Sequence, residues 1–145
     1  MGDRANVKIK ESTGRSIYVY THWHGHDFPA MLQDALRFAK GRWTDESYFQ
    51  RCIITQLCSP AKDATGFGVS TYPTDNERDI LEVESEEQKV RLLSQEGFHK
   101  GKQKFDWEKN GRNVIVEWTF EEYCGLDLSD SFESLRRSKV TANAQ

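Results

Sequence analysis

The residues with the clearest chemical potential lie in one short segment, His22-Trp23-His24-Gly25-His26-Asp27. Histidines spaced by two present their imidazoles to the same face if the backbone stays extended. Imidazole binds zinc, copper, iron and nickel, and a neighbouring carboxylate can add an oxygen ligand. One hypothesis is therefore a transition-metal site formed by His22, His24, His26 and Asp27.

Two metal-free interpretations of this segment stand beside the metal site. Histidine titrates near neutral pH, so His22 could act as a general acid or base. In the simplest interpretation the histidines are turn residues, Gly25 bends the chain and Asp27 is the N-cap of a helix. We favour the simplest interpretation. It requires no cofactor and leaves a divalent transition metal as the alternative.

A second group of polar residues, Asp3, Arg4 and Asn6, lies at the start of a predicted strand. If that strand pairs with the strand before His22, these residues lie beside the histidine turn at the open end of a hairpin. The forked guanidinium of Arg4 could bind a phosphate or carboxylate, with Asn6 beside it. A surface ion pair of Asp3 with a neighbouring cation is the simpler alternative.

Three further motifs carry weaker signals. Thr65-Gly66-Phe67-Gly68 is typical of a strand in which glycines let another backbone or a ligand approach closely. It does not match a phosphate-binding loop. Asp75-Asn76-Glu77 is typical of a turn and is also a candidate for ligand binding. Arg42-Trp43 could stack on a base or bind a helix carbonyl. We retain Arg42, Asp75, Asn76 and Glu77 as binding candidates.

Periodicity and turn chemistry predict the elements that position these residues. Alternating apolar residues indicate three hairpins and one separate strand, and helical spacing indicates two helices followed by a short third. The predicted strands are 6–10 with 16–21, 66–72, 80–85 with 88–94, and 105–108 with 112–118 around Asn110-Gly111. The predicted helices run from Asp27 to Gly41, from Thr44 to Ser59, and from a capping box at Thr119 to Gly125.

This order predicts an α+β fold, an antiparallel sheet built from hairpins with two helices packed on one face and a short C-terminal helix. Residues 1–137 form a single domain, and 138–145 are expected to fray because they have little to bury. Leu128, Phe132 and Leu135 could add one or two helical turns.

Composition narrows the classes of function. Twenty basic and 23 acidic side chains give a net charge of -3, which argues against nucleic acid, and the basic segment 100–104 is diluted by acidic neighbours. No long apolar run or secretory leader is visible, so we expect a cytoplasmic protein without membrane contact. Three cysteines without a Cys-x-x-Cys pair favour reduced thiols, with Cys52 in the core.

Several motifs together resemble a family of small uncharacterised bacterial and bacteriophage proteins. They are MGDRANV at residues 1–7, Thr21-His22-Trp23, Arg42-Trp43-Thr44-Asp45, the Thr-Gly-Phe-Gly motif at 65–68 and the Asp-Asn-Glu motif at 75–77. The resemblance covers about the first 85 residues and implies no activity, cofactor or substrate. It implies that Thr-His-Trp varies less within the family than the positions of His24 and His26, which favours His22 over a three-histidine cluster.

The sequence therefore predicts a binding protein, in a phage or mobile-element setting, for a small anionic or nucleotide-like ligand or a host factor. The predicted ligand contacts are Asp3, Arg4, Asn6, His22, Trp23, Arg42, Asp75, Asn76 and Glu77. A small hydrolase or transferase that uses His22, with or without metal, and a protein-protein inhibitor are the alternatives. Enzymatic status and homo-oligomer formation stay open.

Overall fold

The computed structural model describes residues 2–95 and 114–143, with side chains described as far as Ser138. Its strands are β1 (Ala5–Lys10), β2 (Ser16–Thr21), β3 (Phe67–Ser70), β4 (Ile80–Glu84), β5 (Lys89–Leu93) and β6 (Val114–Thr119). Its helices are α1 (Phe28–Phe38), α2 (Glu46–Leu57), α3 (Phe120–Cys124) and α4 (Phe132–Asn143). The six strands form one sheet in the order β3-β2-β1-β4-β5-β6.

The predicted α+β architecture is confirmed, with one parallel pair in an otherwise antiparallel sheet. Strands β1 and β4 pair in parallel, with Val7 opposite Leu81. The chain between them forms β2, α1, α2 and β3. Only a long connection of this kind can return a strand in the same direction. The predicted antiparallel sheet is therefore corrected at this central pair.

The core lies between one face of the sheet and the helices. Alternate residues of β1 point to this face, and apolar residues at helical spacing on α1 and α2 cover it. Residues of α3 and α4 complete the same cluster. Its fully buried members include Val7, Ile9, Val19, Phe28, Leu32, Leu36, Phe49, Ile53, Leu57, Tyr123 and Leu135.

The opposite face carries a buried network of charges that the sequence did not indicate. Glu82 is fully buried, and its carboxylate lies 3.2 Å from Lys8 Nζ and 3.0 Å from Arg91 Nη1. Arg91 also donates to Glu84 at 2.8 Å and Glu117 at 2.6 Å. Burial by itself lowers the pKa of Arg91, but these hydrogen bonds outweigh it and raise the pKa. The network therefore links β1, β4, β5 and β6 through side chains.

Several predicted boundaries move. Helix α1 ends at Phe38, and Gly41 lies in a short 3-10 helix, Lys40–Arg42, instead of terminating α1. Helix α2 begins at Glu46 after Asp45, not at Thr44. Strand β3 is four residues long, shorter than the predicted 66–72.

The C-terminal part shows one confirmed motif and one longer helix. The capping box is present, with Thr119 Oγ1 accepting from Glu122 N and Glu122 Oε1 accepting from Thr119 N. Helix α4 is 12 residues long, more than the one or two turns expected around Phe132 and Leu135. The predicted fraying stays a prediction, and the basic segment 100–104 and the strand 105–108 with Asn110-Gly111 lie outside the described residues.

Candidate functional site

Four chain segments meet at one end of the sheet, around the start of β1 and the end of β2. Asp3 N donates to His22 O at 2.7 Å, and His22 N donates to Gly66 O at 2.9 Å. Glu77 N donates to Arg4 O at 3.1 Å. The hairpin thus brings Arg4 beside the histidine turn, as its pairing indicated. We call this region the Arg4–His22 site; it comprises Arg4, Tyr20, His22, Trp23, Asp75 and Glu77.

Asp3 holds the histidine turn, residues 22–27, against the N-terminal segment through hydrogen bonds. Its backbone carbonyl accepts from Gly25 N at 2.9 Å, and its Oδ2 accepts from His26 N at 2.8 Å. Its Oδ1 accepts from Arg78 Nε at 2.9 Å. All three oxygens therefore accept hydrogen bonds within the protein, and through them Asp3 positions the turn. Arg78 was not singled out from the sequence, because no local signal marks a partner so distant along the chain.

His22 is held by a hydrogen bond to Tyr20 and by the Trp23 ring. The Tyr20 hydroxyl lies 3.0 Å from His22 Nδ1, and the centroids of the His22 and Trp23 rings are 4.8 Å apart in an edge-to-face arrangement. A Cβ added at Gly2 would lie 3.2 Å from both Cε1 and Nε2 of His22. The Nε2 side of the ring therefore faces the N-terminal backbone, where only a glycine fits without displacement.

Tyr20 is a member of the site that the sequence did not indicate. Its pKa is raised, mainly by burial. The charge of Arg4 lowers it, and the charges of Asp75 and Glu77 raise it further. A neutral hydroxyl is therefore maintained beside His22. Alternation in β2 placed Tyr20 on the face away from the core, and that position was the available signal.

The Arg4 guanidinium is held in place by charge without a hydrogen bond from its side chain. Its Nε lies 3.5 Å from Glu77 Oε1, and its Nη1 lies 3.6 Å from Asp75 Oδ2. Neither contact meets hydrogen-bond geometry, and Nε is buried without an acceptor among the described residues. The backbone N of Arg4, in contrast, donates to Glu77 Oε1 at 2.8 Å. The side chain as a whole is 36% exposed, so the Nη donors, and not the buried Nε, are the ones open to a ligand.

Asn6 and Asn76 hold the loop after β3 instead of facing outward. Both are buried, and Asn6 Nδ2 donates to Thr74 O at 2.9 Å and to Asn76 Oδ1 at 3.2 Å. Asn76 Nδ2 donates in turn to Arg78 O. Their polar atoms are used in folding the loop, so these two predicted contacts support the site indirectly.

Trp23 is the exposed aromatic surface of the site. Its side chain is 53% exposed, although tryptophan is usually well covered. One part of the ring lies on Gly66, where an added Cβ would be 2.9 Å from Trp23 Cζ3. Gly66 also has a φ of +88°, a conformation that favours glycine. A close approach to Gly66 was predicted, and the group that approaches it is the Trp23 indole ring of the same chain.

The three histidines do not converge. Strand β2 ends at Thr21, and the chain then turns, so the extended backbone on which a shared face depended is not maintained. The His24 ring stacks on Phe67 with centroids 5.6 Å apart, and its Nδ1 lies 3.4 Å from Asp27 Oδ2. Within residues 2–95 and 114–143, no group of three or more His, Cys, Asp or Glu side chains is arranged to hold a metal ion.

Asp27 occupies the predicted N-cap position of α1 without acting as a side-chain cap. Its backbone is helical, with φ of -86° and ψ of -13°, and its carboxylate accepts no hydrogen bond from the first turn. An effective cap needs an extended backbone so that its oxygen can reach back to the helix. The position was predicted correctly, but the capping interaction is absent.

Arg42 is the last residue of the 3-10 helix Lys40–Arg42 and contacts none of the described site residues. Its guanidinium lies over the Tyr48 ring, 4.4 Å from the centroid, and its Nη1 is 3.4 Å from Asp45 Oδ2. The adjacent Trp43 is buried and donates its Nε1 to Leu36 O at 3.0 Å. Of the two interpretations of this motif, the structure therefore supports a local, structural role.

The cysteines show no sign of activation as nucleophiles. All three are free, and Cys52 is buried in the core as predicted. Burial raises the pKa of the Cys58 thiol and also that of Cys124. A raised pKa leaves less of the reactive thiolate at neutral pH.

The fold and the site together define an α+β protein whose N-terminal strand, histidine turn and 74–78 loop form one polar surface. No family model, curated protein or solved structure matches the chain. The motif resemblance to bacterial and phage proteins therefore stays an interpretation of the sequence. No helix in the described ranges has the length and apolar character needed to cross a membrane.

Proposed function

We propose that this chain is a non-enzymatic binding protein that takes a small nucleotide-like ligand at the Arg4–His22 site. The observation that carries the proposal is the Arg4 guanidinium, which lies between two carboxylates yet donates no hydrogen bond from its side chain among the described residues. Guanidinium donors are planar and forked, and they suit phosphate oxygens or a base edge. We also propose a cytoplasmic, phage or mobile-element setting, on the sequence alone.

His22 and Trp23 extend the recognition surface on one side of Arg4. A Cβ at Gly2 would lie 3.1 Å from Arg4 Nε and 3.2 Å from His22 Nε2, so both nitrogens border the same point. Trp23 continues this surface with an exposed aromatic ring. Aromatic side chains bind nucleobases by stacking, which contributes about 1–3 kcal/mol per base. Arg4, His22 and Trp23 therefore lie next to one another in the fold.

The direct test is calorimetric titration of the full chain with nucleoside monophosphates, cyclic nucleotides, nucleoside triphosphates and inorganic phosphate. We expect binding of at least one nucleotide, weakened at least tenfold by Arg4→Gln and by Trp23→Ala. Arg51→Gln, at an exposed position of α2, is the control and should bind as the parent does. Absence of heat from every nucleotide, with a folded sample, would remove the proposal.

The alternative function is a hydrolase or transferase that uses His22 as acid or base, and the 3.0 Å contact between Tyr20 and His22 favours it over other enzymatic roles. A hydrogen bond of this kind sets the tautomer and orientation of an imidazole. Chromatography of the same nucleotides after long incubation tests it. Conversion that disappears in both His22→Gln and Tyr20→Phe supports an enzyme, whereas recovery of unchanged nucleotide supports binding alone.

A further inference from the structure

We infer that the ligand is a guanine mononucleotide whose base edge is recognised jointly by Arg4 and Asp75. This inference rests on the proposed function and adds the identity of the base and the number of phosphates. It follows from the alternation of donors and acceptors at the Arg4–His22 site and from its balance of charge.

The pair formed by Arg4 and Asp75 offers donors beside an acceptor. Arg4 Nη1 and Asp75 Oδ2 are 3.6 Å apart, and the Asp75 side chain is 73% exposed. Among the described residues, no side-chain or backbone group donates a hydrogen bond to the Asp75 carboxylate. Both members of the pair can therefore turn their polar atoms to a ligand while staying close to each other.

Guanine presents the matching edge. Its O6 accepts hydrogen bonds, and arginine is the side chain that most often binds this oxygen. The adjacent N1–H and N2–H₂ groups are donors, which a carboxylate can accept with its two oxygens. Adenine has an acceptor where guanine has N1–H, and it has no 2-amino group. An arginine next to an exposed carboxylate that accepts no hydrogen bond from the described residues thus selects guanine over adenine.

Charge at the site limits the phosphate content of the ligand. Arg78 is paired with Asp3, so Arg4 is the guanidinium that faces Asp75 and Glu77. Two carboxylates beside one guanidinium leave a negative balance, which repels additional phosphates. The base must therefore supply most of the recognition, and a single phosphate is the most that this environment favours.

The test compares guanosine, inosine and adenosine monophosphates, together with guanosine triphosphate, by calorimetry on the full chain. Inosine differs from guanosine only in lacking the 2-amino group. We expect guanosine monophosphate to bind about tenfold tighter than inosine monophosphate, since a site built for a hydrogen bond rejects an analogue that lacks it. Adenosine monophosphate and guanosine triphosphate should both bind more weakly than inosine monophosphate.

Asp75→Asn should abolish the preference for guanosine over inosine, and the control Asp34→Asn should leave it unchanged. Asp34 is matched because its side chain is also 73% exposed and lies 3.5 Å from an arginine, Arg37. If adenosine monophosphate and guanosine monophosphate bind equally tightly, this inference is overturned while the proposed function stands. If none of the four nucleotides binds, both are overturned. A preference that survives in Asp75→Asn, or a guanine oligonucleotide that binds tighter than the mononucleotide, also overturns it.

Discussion

Asp3 and Arg78 form an ion pair between residues 75 positions apart in sequence, with Arg78 Nε and Nη2 both 2.9 Å from Asp3 Oδ1. The Arg78 guanidinium also lies 5.3 Å from the centroid of the Phe132 ring on α4. Through Arg78, the N-terminal segment is therefore joined to the C-terminal helix as well as to the loop before β4.

Asp3→Asn should lower the free energy of unfolding by about 1 kcal/mol, because a partly exposed ion pair loses its negative charge. Urea denaturation of Asp3→Asn, Arg78→Gln and the double variant measures this effect as a coupling energy. A coupling energy indistinguishable from zero would show that the pair does not stabilise the fold.

Gly25→Ala should destabilise the protein by about 1–3 kcal/mol. A Cβ at this position would lie 2.5 Å from Asp3 Oδ1 and 2.7 Å from the Asp3 carbonyl oxygen. The backbone atom cannot move away without breaking its bond to Gly25 N. Gly41→Ala is the control, since an added Cβ there meets nothing within 4 Å. Equal thermal midpoints for the two variants would contradict the close approach.

Glu82→Gln should cost about 3 kcal/mol, because removing one charge from a buried pair leaves its cationic partners less compensated. Glu82 is fully buried between Lys8 and Arg91. The matched control is Glu87→Gln, whose side chain is 56% exposed and lies 3.5 Å from the same arginine. Chemical denaturation should show a change below about 0.5 kcal/mol for the control. Similar losses in both variants would mean that burial of the network is unimportant.

Thr119→Ala should destabilise the protein by about 1 kcal/mol through loss of the capping box, and Asp27→Ala should have a much smaller effect. Thr119 Oγ1 accepts from Glu122 N at 3.1 Å, whereas Asp27 caps nothing with its side chain. Thermal unfolding of the two variants at the same pH makes the comparison. A larger loss of stability in Asp27→Ala than in Thr119→Ala would show that the Asp27 side chain caps α1 after all.

Stability should fall as the pH rises above about 10, the ordinary pKa of tyrosine. Burial raises the pKa of Tyr123 well above that value. Below the unfolded-state pKa both states are protonated and the stabilisation is complete; above it the unfolded chain loses the proton first, so unfolding becomes easier. Tyr123→Phe should flatten this alkaline slope, although it loses the 2.8 Å bond to Pro29 O. Tyr48→Phe, at an exposed position, should retain the slope.

Short-range features of the sequence predicted most of the elements and part of the site. Alternation in β1 and β2 predicted their hairpin, and the observed register places Ala5 opposite Thr21, next to Arg4 and His22. Arg4 and His22 could be placed together because a hairpin brings the start of one strand to the end of the next. The capping box at Thr119 was equally local, since its two hydrogen bonds join residues three apart.

By itself, then, the sequence determined the α+β class, the β1–β2 and β4–β5 hairpins, the main helices and the neighbourhood of Arg4 and His22. Only the tertiary structure decided the parallel pairing of β1 with β4, the ion pair of Asp3 with Arg78, and the separation of Arg42 from the site. Periodicity and turn chemistry act over a few residues, so they specify elements and hairpins. Contacts between residues some 70 positions apart depend on how the helices and the crossover connection pack onto the sheet, and no local pattern records that choice.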